Sequence, residues 1–399
     1  MHTTNRNHTL SSVLLAGLLV GASQFTTCGQ FTFDSGSTGT NGALNITNDT
    51  TLELPPHGQI HCTTITVALN ATLKFTPNAL NTPVHLLARG DVVINGTIDV
   101  SGSAGSAVLG GAGGPGGFAG GNPASGGLPP GDGKGPGAGR GGADSVPGSG
   151  GAGYASYGST GEGWSVTTNN GSTYGSPLLT PLTGGSGGGG NSAGVAGAGG
   201  GGALLVASTT GITVNGTVLA GSYNPFNYSG FFGFGSGGAI RLVAPVVSGA
   251  GLVDVRGGYD IFTYKGGGAG RIRIDCIDRR SLALNLTPSS VASIGANMIA
   301  IPTSAPRLDI IQLGTNNIPV ATGSPVFFML PLGSDTNQIV TVQAADFGRL
   351  VPIRVVLTPE NGSKSYYDAS IDNAASPASV TVPVVVPVNV QVHVTAWTR

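Results

Sequence analysis

"NGTIDV", residues 95–100, is the stretch on which the fold turns. Its fourth and sixth residues, Ile98 and Val100, are apolar, and Asp99 lies between them. In a strand, that alternation puts Ile98 and Val100 on one face and Asp99 on the other. The pattern recurs as "DTTLEL" (49–54), "NATLKF" (70–75), "NGTVLA" (215–220) and "AGLVDV" (250–255). The steps from 49 to 70 and from 70 to 95 match one turn of a parallel β-helix, in which each coil lays its strands on those of the previous one. One such coil cannot bury its apolar face alone, whereas stacked coils build a continuous core. Leu52, Leu73, Ile98, Val218 and Val253 are then expected to form one internal ladder. Leu54, Phe75, Val100, Ala220 and Val255 form the next. Asn70, Asn95 and Asn215 open equivalent bends, where Asn tolerates a left-handed backbone. Outward-facing Glu53, Lys74 and Asp99 are expected to pair along the stack. The competing reading is an antiparallel sandwich whose "NG" pairs mark hairpins.

A second repeat aligns without gaps: "GGGGALLVAS" (199–208), "GSGGAIRLVA" (235–244) and "GGAGRIRIDC" (267–276). Each is a glycine run leading into an alternating strand. Leu204 and Val206, Ile240 and Leu242, and Ile272 and Ile274 fall at matching inward positions. Leu205, Arg241 and Arg273 point outward, towards solvent or a covering loop.

The step from 95 to 215 is too long for one coil. Its excess, Gly102–Gly202, holds 40 of the chain's 71 glycines. Ordering such a segment costs much entropy, and it has few side chains to bury. It is either a flexible insert or a set of close-packed polyproline-II strands lying on the coils. The reading favours order at its ends and mobility between, with Tyr154, Tyr157, Trp164 and Tyr174 available to pin the middle. From about Pro302 glycine thins out. "NQIVTVQAA", "VPIRVVLTP", "SVTVPVVVP" and "NVQVHVTAW" read as short sandwich strands over 302–399, with Trp397 in their core and the Pro-bounded strand at an edge.

The fold expected is therefore all-β: a right-handed parallel β-helix over 46–300 with a glycine-rich insert at 102–202, then an immunoglobulin-like β-sandwich. The N-terminus reads as an export signal over 1–23, with Arg6 before the apolar run Val13–Val20, and 24–45 as a linker. That run is too short to span a bilayer, and no later segment is long enough. Cys28 offers a lipid-anchor site, although "FTTC" departs from the small-residue pattern such sites carry. In an exported chain Cys62 could pair with Cys276 or with Cys28. Only 9% of residues are charged and the formal net charge is -1, which leaves no electrostatic case for nucleic acid.

The 46–276 coils resemble secreted bacterial proteins with pectin-lyase-like parallel β-helices, and "VTVPVVVPVNVQVHVTAW" is similar to immunoglobulin-like modules of extracellular proteins. The resemblance implies polysaccharide lyases and hydrolases on one side, and adhesins and surface-layer proteins without catalysis on the other. Fold does not decide between them.

Polysaccharide cleavage on such a scaffold needs clustered acids, for hydrolysis or for calcium-assisted elimination. The nearest approach is an outward face carrying Asp99, Asp254, Arg256, Arg271, Arg273 and Asp275. No paired-acid motif appears there, and arginine is a poor general base. Exposed strand residues that neutralise one another explain these charges as well. His57, His61, His85 and Cys62 fit no tetrahedral metal spacing, and no cofactor is expected. "GGSGG" (184–188) satisfies G-x-S-x-G without the strand-to-helix context a nucleophile needs. Two aromatic clusters stand out: Tyr223, Phe226, Tyr228, Phe231, Phe232 and Phe234, then Tyr259, Phe262 and Tyr264. They occupy equivalent loops and either pack together or form a sugar platform. Tyr228, Phe232, Tyr259, Tyr264, Asp254, Arg256, Arg271, Arg273 and Asp275 are thus the candidate glycan-binding residues. The function expected is a non-catalytic surface or adhesion protein meeting an extracellular polysaccharide or cell-surface component. The alternative is a carbohydrate-binding or polysaccharide-degrading β-helix protein.

Overall fold

Alternating apolar residues fold the described parts of the chain into strands. The computed structural model describes residues 32–127, 129–142, 148–159, 170–222, 233–260, 265–304, 306–320, 326–359 and 364–399. Among them there is no α-helix, only a 3-10 turn at Ser289–Val291, and no helix is long and apolar enough to cross a membrane.

The chain visits three parallel sheets in rotation. The first holds Leu44–Ile46, Ile65–Val67, Val92–Ile94, Gly211–Val214 and Val246–Ser248. The second holds Thr50–Glu53, Thr72–Thr76, Thr97–Asp99, Thr217–Leu219, Leu252–Asp254 and Asn285–Thr287. The third holds Gln59–Cys62, Val84–Ala88, Ala203–Ser208, Ala239–Val243, Arg271–Asp275 and Ala292–Gly295. Each strand pairs with the one that follows a full circuit later, and all three sheets remain open. Their inward faces share one core, which includes Ile65, Val67, Leu73, Ile98, Leu204, Ile240 and Ile272. Each such side chain contributes about 1.5–3 kcal/mol on burial.

The register agrees with the repeat from Leu73 onward: Leu73, Ile98, Val218 and Val253 lie level, and Leu286 extends the ladder. The first coil departs from it. Leu52 lies opposite Phe75, and Leu73 opposite Thr50. A shift of two residues keeps the apolar face inward, so the alternation alone does not report it. Glu53 consequently faces Thr76, and the expected ladder of three charges reduces to Lys74–Asp99 at 3.4 Å. The bends differ too. Asn70 is left-handed (φ 66), whereas Asn215 donates its side-chain amide to Asn95 Oδ1 at 2.9 Å. The second repeat aligns throughout: Leu204, Ile240 and Ile272 are level, as are Leu205, Arg241 and Arg273.

Much of the glycine-rich tract between its ends is ordered, while 128, 143–147 and 160–169 lie outside the described residues. Its described parts, 102–127, 129–142, 148–159 and 170–202, form a bundle of extended segments tied by backbone hydrogen bonds. Segment 196–202 runs through the middle. Ala196, Gly199 and Gly202 donate to Ser106, Ser103 and Val100. Gly197 and Gly200 donate to Gly121 and Phe118, and Ala198 and Gly201 to Gly233 and Ser236. The direction of donation repeats every third residue, the period of a polyproline-II helix. Only glycine permits this approach: a Cβ on Gly197 or Gly199 would strike the carbonyl of Gly188 or Ala112. Backbone partners in neighbouring segments replace the missing side-chain burial. The glycine runs at 233–238 and 266–270 belong to the same bundle, which explains why a glycine run precedes three strands of the third sheet, Ala203–Ser208, Ala239–Val243 and Arg271–Asp275.

Two antiparallel four-stranded sheets follow. The fourth sheet orders Asn316–Asn317, Arg307–Leu313, Asn337–Ala345 and Ala378–Val385. The fifth orders Val326–Met329, Gln391–Thr398, Leu350–Pro359 and Ser365–Asp372. They enclose a second core that includes Val340, Val342, Ile353, Val355 and Val394. The proline-bounded strand Ala378–Val385 lies at an edge, as expected. Trp397 does not enter this core. Val392 and Val394 take the inward positions, so alternation turns Trp397 outward, where its ring meets Phe118 of the bundle edge-on at 5.3 Å. Residues 33–399 form one contact unit, and this pairing is part of its inner seam.

Candidate functional site

The charged residues picked out in the sequence fall into two groups on different sheets. Asp254 and Arg256 belong to the second sheet and its exit, and Arg271, Arg273 and Asp275 to the third. They do not converge on one face.

On the third sheet, the outward positions are covered. Leu87, Leu205, Ala207 and Val243 pack beneath Phe33 and Ala300. Asp275 is fully buried among them. Its Oδ1 accepts from Arg273 Nη2 (2.6 Å), Arg273 Nε (3.0 Å) and the Asn297 amide (2.9 Å). Its Oδ2 accepts from Arg241 Nη2 (3.2 Å) and Nε (3.3 Å). Arg241 Nη2 reaches on to the carbonyls of Asn297 (3.1 Å) and Ile299 (2.8 Å). Burial pulls the Arg241 pKa down, and Asp275 opposes that pull. The carboxylate has no lone pair free for a substrate. This cluster fastens segment 297–299 to the sheet. Arg241 was visible as an outward residue of the repeat, but nothing in the sequence marked the segment that covers it.

Arg271 works on the bundle. Its Nη2 donates to the Tyr174 carbonyl at 2.8 Å, and its guanidinium lies 5.4 Å from the Tyr154 ring centroid. Tyr154 and Tyr174 stack at 4.4 Å. Their hydroxyls donate to the carbonyls of Thr183 (2.7 Å) and Gly184 (2.6 Å). Both tyrosines pin the tract, as expected of them; Tyr157 is instead exposed, and Trp164 lies outside the described residues. Ser186 of "GGSGG" is buried, donates to the Tyr174 hydroxyl at 3.0 Å and accepts from the Gly137 amide at 3.0 Å. It is a residue of the bundle interior, its hydroxyl engaged as both donor and acceptor.

On the second sheet, Asp254 is buried and holds Arg256 through Nε (2.9 Å) and Nη2 (2.6 Å). Arg256 leans outward, its side chain 64% exposed. Three residues on, Tyr259 opens the small hairpin Tyr259–Asp260/Lys265–Gly266 with 40% of its surface exposed. Phe234 is buried. Tyr223, Phe226, Tyr228, Phe231, Phe232, Phe262 and Tyr264 lie outside the described residues.

No group of three metal-ligating side chains forms among the described residues. His57 and His61 accept backbone amides of Gln59 (3.1 Å) and Thr38 (3.2 Å) through Nδ1. His85 lacks a partner at its buried Nδ1, and burial pushes its pKa down to about 4. Cys62 and Cys276 are free thiols in the core and do not pair with each other; Cys28 lies outside the described residues. Burial pushes the Cys62 thiol up to about 11.

Where the bundle meets the fifth sheet, a cluster appears that the sequence did not reveal. Lys364 is buried and donates through Nζ to the Gly133 carbonyl, while Arg140 Nη2 donates to the Lys364 carbonyl at 3.1 Å. Burial lowers the Lys364 pKa to about 8; Asp132 opposes this, and Lys134 and Arg140 add to it. Arg354 binds Asp368 at 2.7 Å and Ser172 Oγ at 2.5 Å. A separate cleft of about 190 Å³ is lined by residues including Leu178, Thr180, Asn297, Ile299, Phe347 and Arg349. No known family, curated protein or solved structure matches this chain.

Proposed function

We propose that this chain is an exported, non-catalytic protein acting in adhesion or surface structure. In this reading the three rotating sheets form a right-handed, pectin-lyase-like parallel β-helix, and 302–399 an immunoglobulin-like cap. The apolar run Val13–Val20 is the export signal, and the partner is an extracellular polysaccharide or cell-surface component. One observation carries the reading: Asp275, the acid at the centre of the best charged cluster, is buried and saturated by Arg241, Arg273 and Asn297. A general acid or nucleophile needs access to substrate. The test is a glycan panel scored for binding and for cleaved product. Binding without cleavage is expected. Cleavage that disappears in Asp254→Ala sinks the non-catalytic reading.

The second reading, a carbohydrate-binding or polysaccharide-degrading protein, is favoured by one observation, the exposed Tyr259 three residues after the outward-leaning Arg256. A sugar can stack on such a ring while the guanidinium binds its hydroxyls. Glycan binding lost in Tyr259→Ala would support it.

A further inference from the structure

The cleft of about 190 Å³ takes its walls from three parts of the molecule. Leu178 comes from the bundle, and Ile299 from the segment that follows the last coil. Phe347 comes from the turn between the strands Asn337–Ala345 and Leu350–Pro359. Each wall is fastened independently. Ser176 Oγ accepts the Leu178 amide at 3.2 Å. Arg241 holds the Ile299 carbonyl at 2.8 Å. The turn is tied to its own sandwich, where the Phe347 amide donates to Asn373 Oδ1 at 2.8 Å and the Asp346 amide to Ser376 Oγ at 2.9 Å. A cleft with fixed walls does not have to order itself around a ligand.

Two opposite charges line this same cleft, Asp346 and Arg349. They stand three positions apart in one turn, and both are exposed. Arg349 Nη2 donates to Ser176 Oγ at 3.3 Å, which brings the guanidinium across to the bundle wall that carries Leu178. Asp346 Oδ1 accepts from Ser376 Oγ at 3.3 Å. Among the described residues neither enters an ion pair, with the other or with a third group. A ligand with one charge would therefore meet one opposite and one like charge. A ligand with both charges on neighbouring atoms offers each group its opposite.

We propose that this cleft binds a free α-amino acid with an apolar side chain. Its carboxylate meets Arg349, its ammonium meets Asp346, and its side chain lies among Leu178, Ile299 and Phe347. The size agrees, because the cleft is smaller than the roughly 300–1,000 Å³ of sites that take drug-sized ligands. The proposal goes beyond the adhesive reading and does not depend on it.

The test is calorimetric titration of the full chain with leucine, N-acetylleucine, leucinamide and glycine. Leucine is expected to bind tightest. The two blocked forms each lack one charge and should bind about twofold to fivefold more weakly, the range an exposed ion pair supplies. Glycine lacks the apolar side chain and should bind about tenfold more weakly or worse. Arg349→Gln should erase the preference for leucine over leucinamide, and Asp346→Asn the preference over N-acetylleucine. Both residues are exposed, and Asn is tolerated at the left-handed backbone of position 346 (φ 63), so unchanged melting curves confirm that the variants fold. No binding of leucine, equal or tighter binding of either blocked form, glycine equal to leucine, or preferences unmoved by the two substitutions overturns the proposal.

Discussion

Asp275 accepts five hydrogen bonds without touching water, and Arg241 is nearly as deep, with 4% of its side chain exposed. Such a pair is costly to break and contributes little net stability when whole, because two charges had to leave water. Asp275→Ala should therefore destabilise the protein by about 3–5 kcal/mol in urea unfolding, since it strands Arg241 and Arg273. Replacing the pair together, Arg241→Met with Asp275→Leu, should cost much less. Lys364 gives a second prediction. Its folded pKa of about 8 lies below the ordinary 10.5. Between those values the unfolded chain holds more protons, so stability rises with pH there, by at most about 3 kcal/mol. Denaturation at pH 7.5 and pH 10 should show this rise in the natural chain and a flatter response in Lys364→Met. His85 behaves in the opposite range. With a folded pKa of about 4 against 6.5, it stays neutral while the unfolded chain takes up a proton, so its contribution is lost as pH falls from 6.5 towards 4.

Among the elements, strands and bundle segments differ in how far they can be read. A strand displays its partner through alternation, and this made the Leu73–Val253 and Leu204–Ile272 ladders legible. The two-residue slip at Leu52 escaped because it preserves that alternation. A bundle segment such as 196–202 has almost no side chains, so its neighbours leave no pattern; only the recurrence of glycine before three of the third-sheet strands hinted at them. Arg241 and Asp275 were legible as outward residues but not as buried ones, because residues 297–300 that cover the sheet follow no repeat. The Lys364 cluster was invisible, since its members come from elements with no sequence relation. The elements also differ in tolerance. Gly197→Ala should destabilise by about 1–3 kcal/mol or more, because its new methyl meets backbone that cannot move. Gly211→Ala, in a strand with ordinary contact distances, should be neutral or mildly stabilising. Paired thermal melts decide this.

For the whole molecule, the seam between bundle and fifth sheet fixes the sandwich to the rest of residues 33–399. The Gly175 amide donates to the Thr398 carbonyl at 3.1 Å, beside the Phe118–Trp397 contact. Trp397→Ala should loosen this seam and leave the sandwich core intact. Hydrogen exchange should quicken at Gly175 and Phe118 and stay unchanged along Asn337–Ala345. Uniform acceleration would mean that Trp397 supports the sandwich itself.

The bundle also has a consequence for descent. Where backbone packs on backbone, nearly every coding change at an interior glycine adds atoms to a filled space. Selection should therefore hold positions such as Gly197 and Gly199 almost fixed. The open turns, such as 106–109 with exposed Val108 and Leu109, carry no such restraint and can diverge quickly. A lineage of this protein could change its turns many times over while the glycine scaffold beneath them stayed the same.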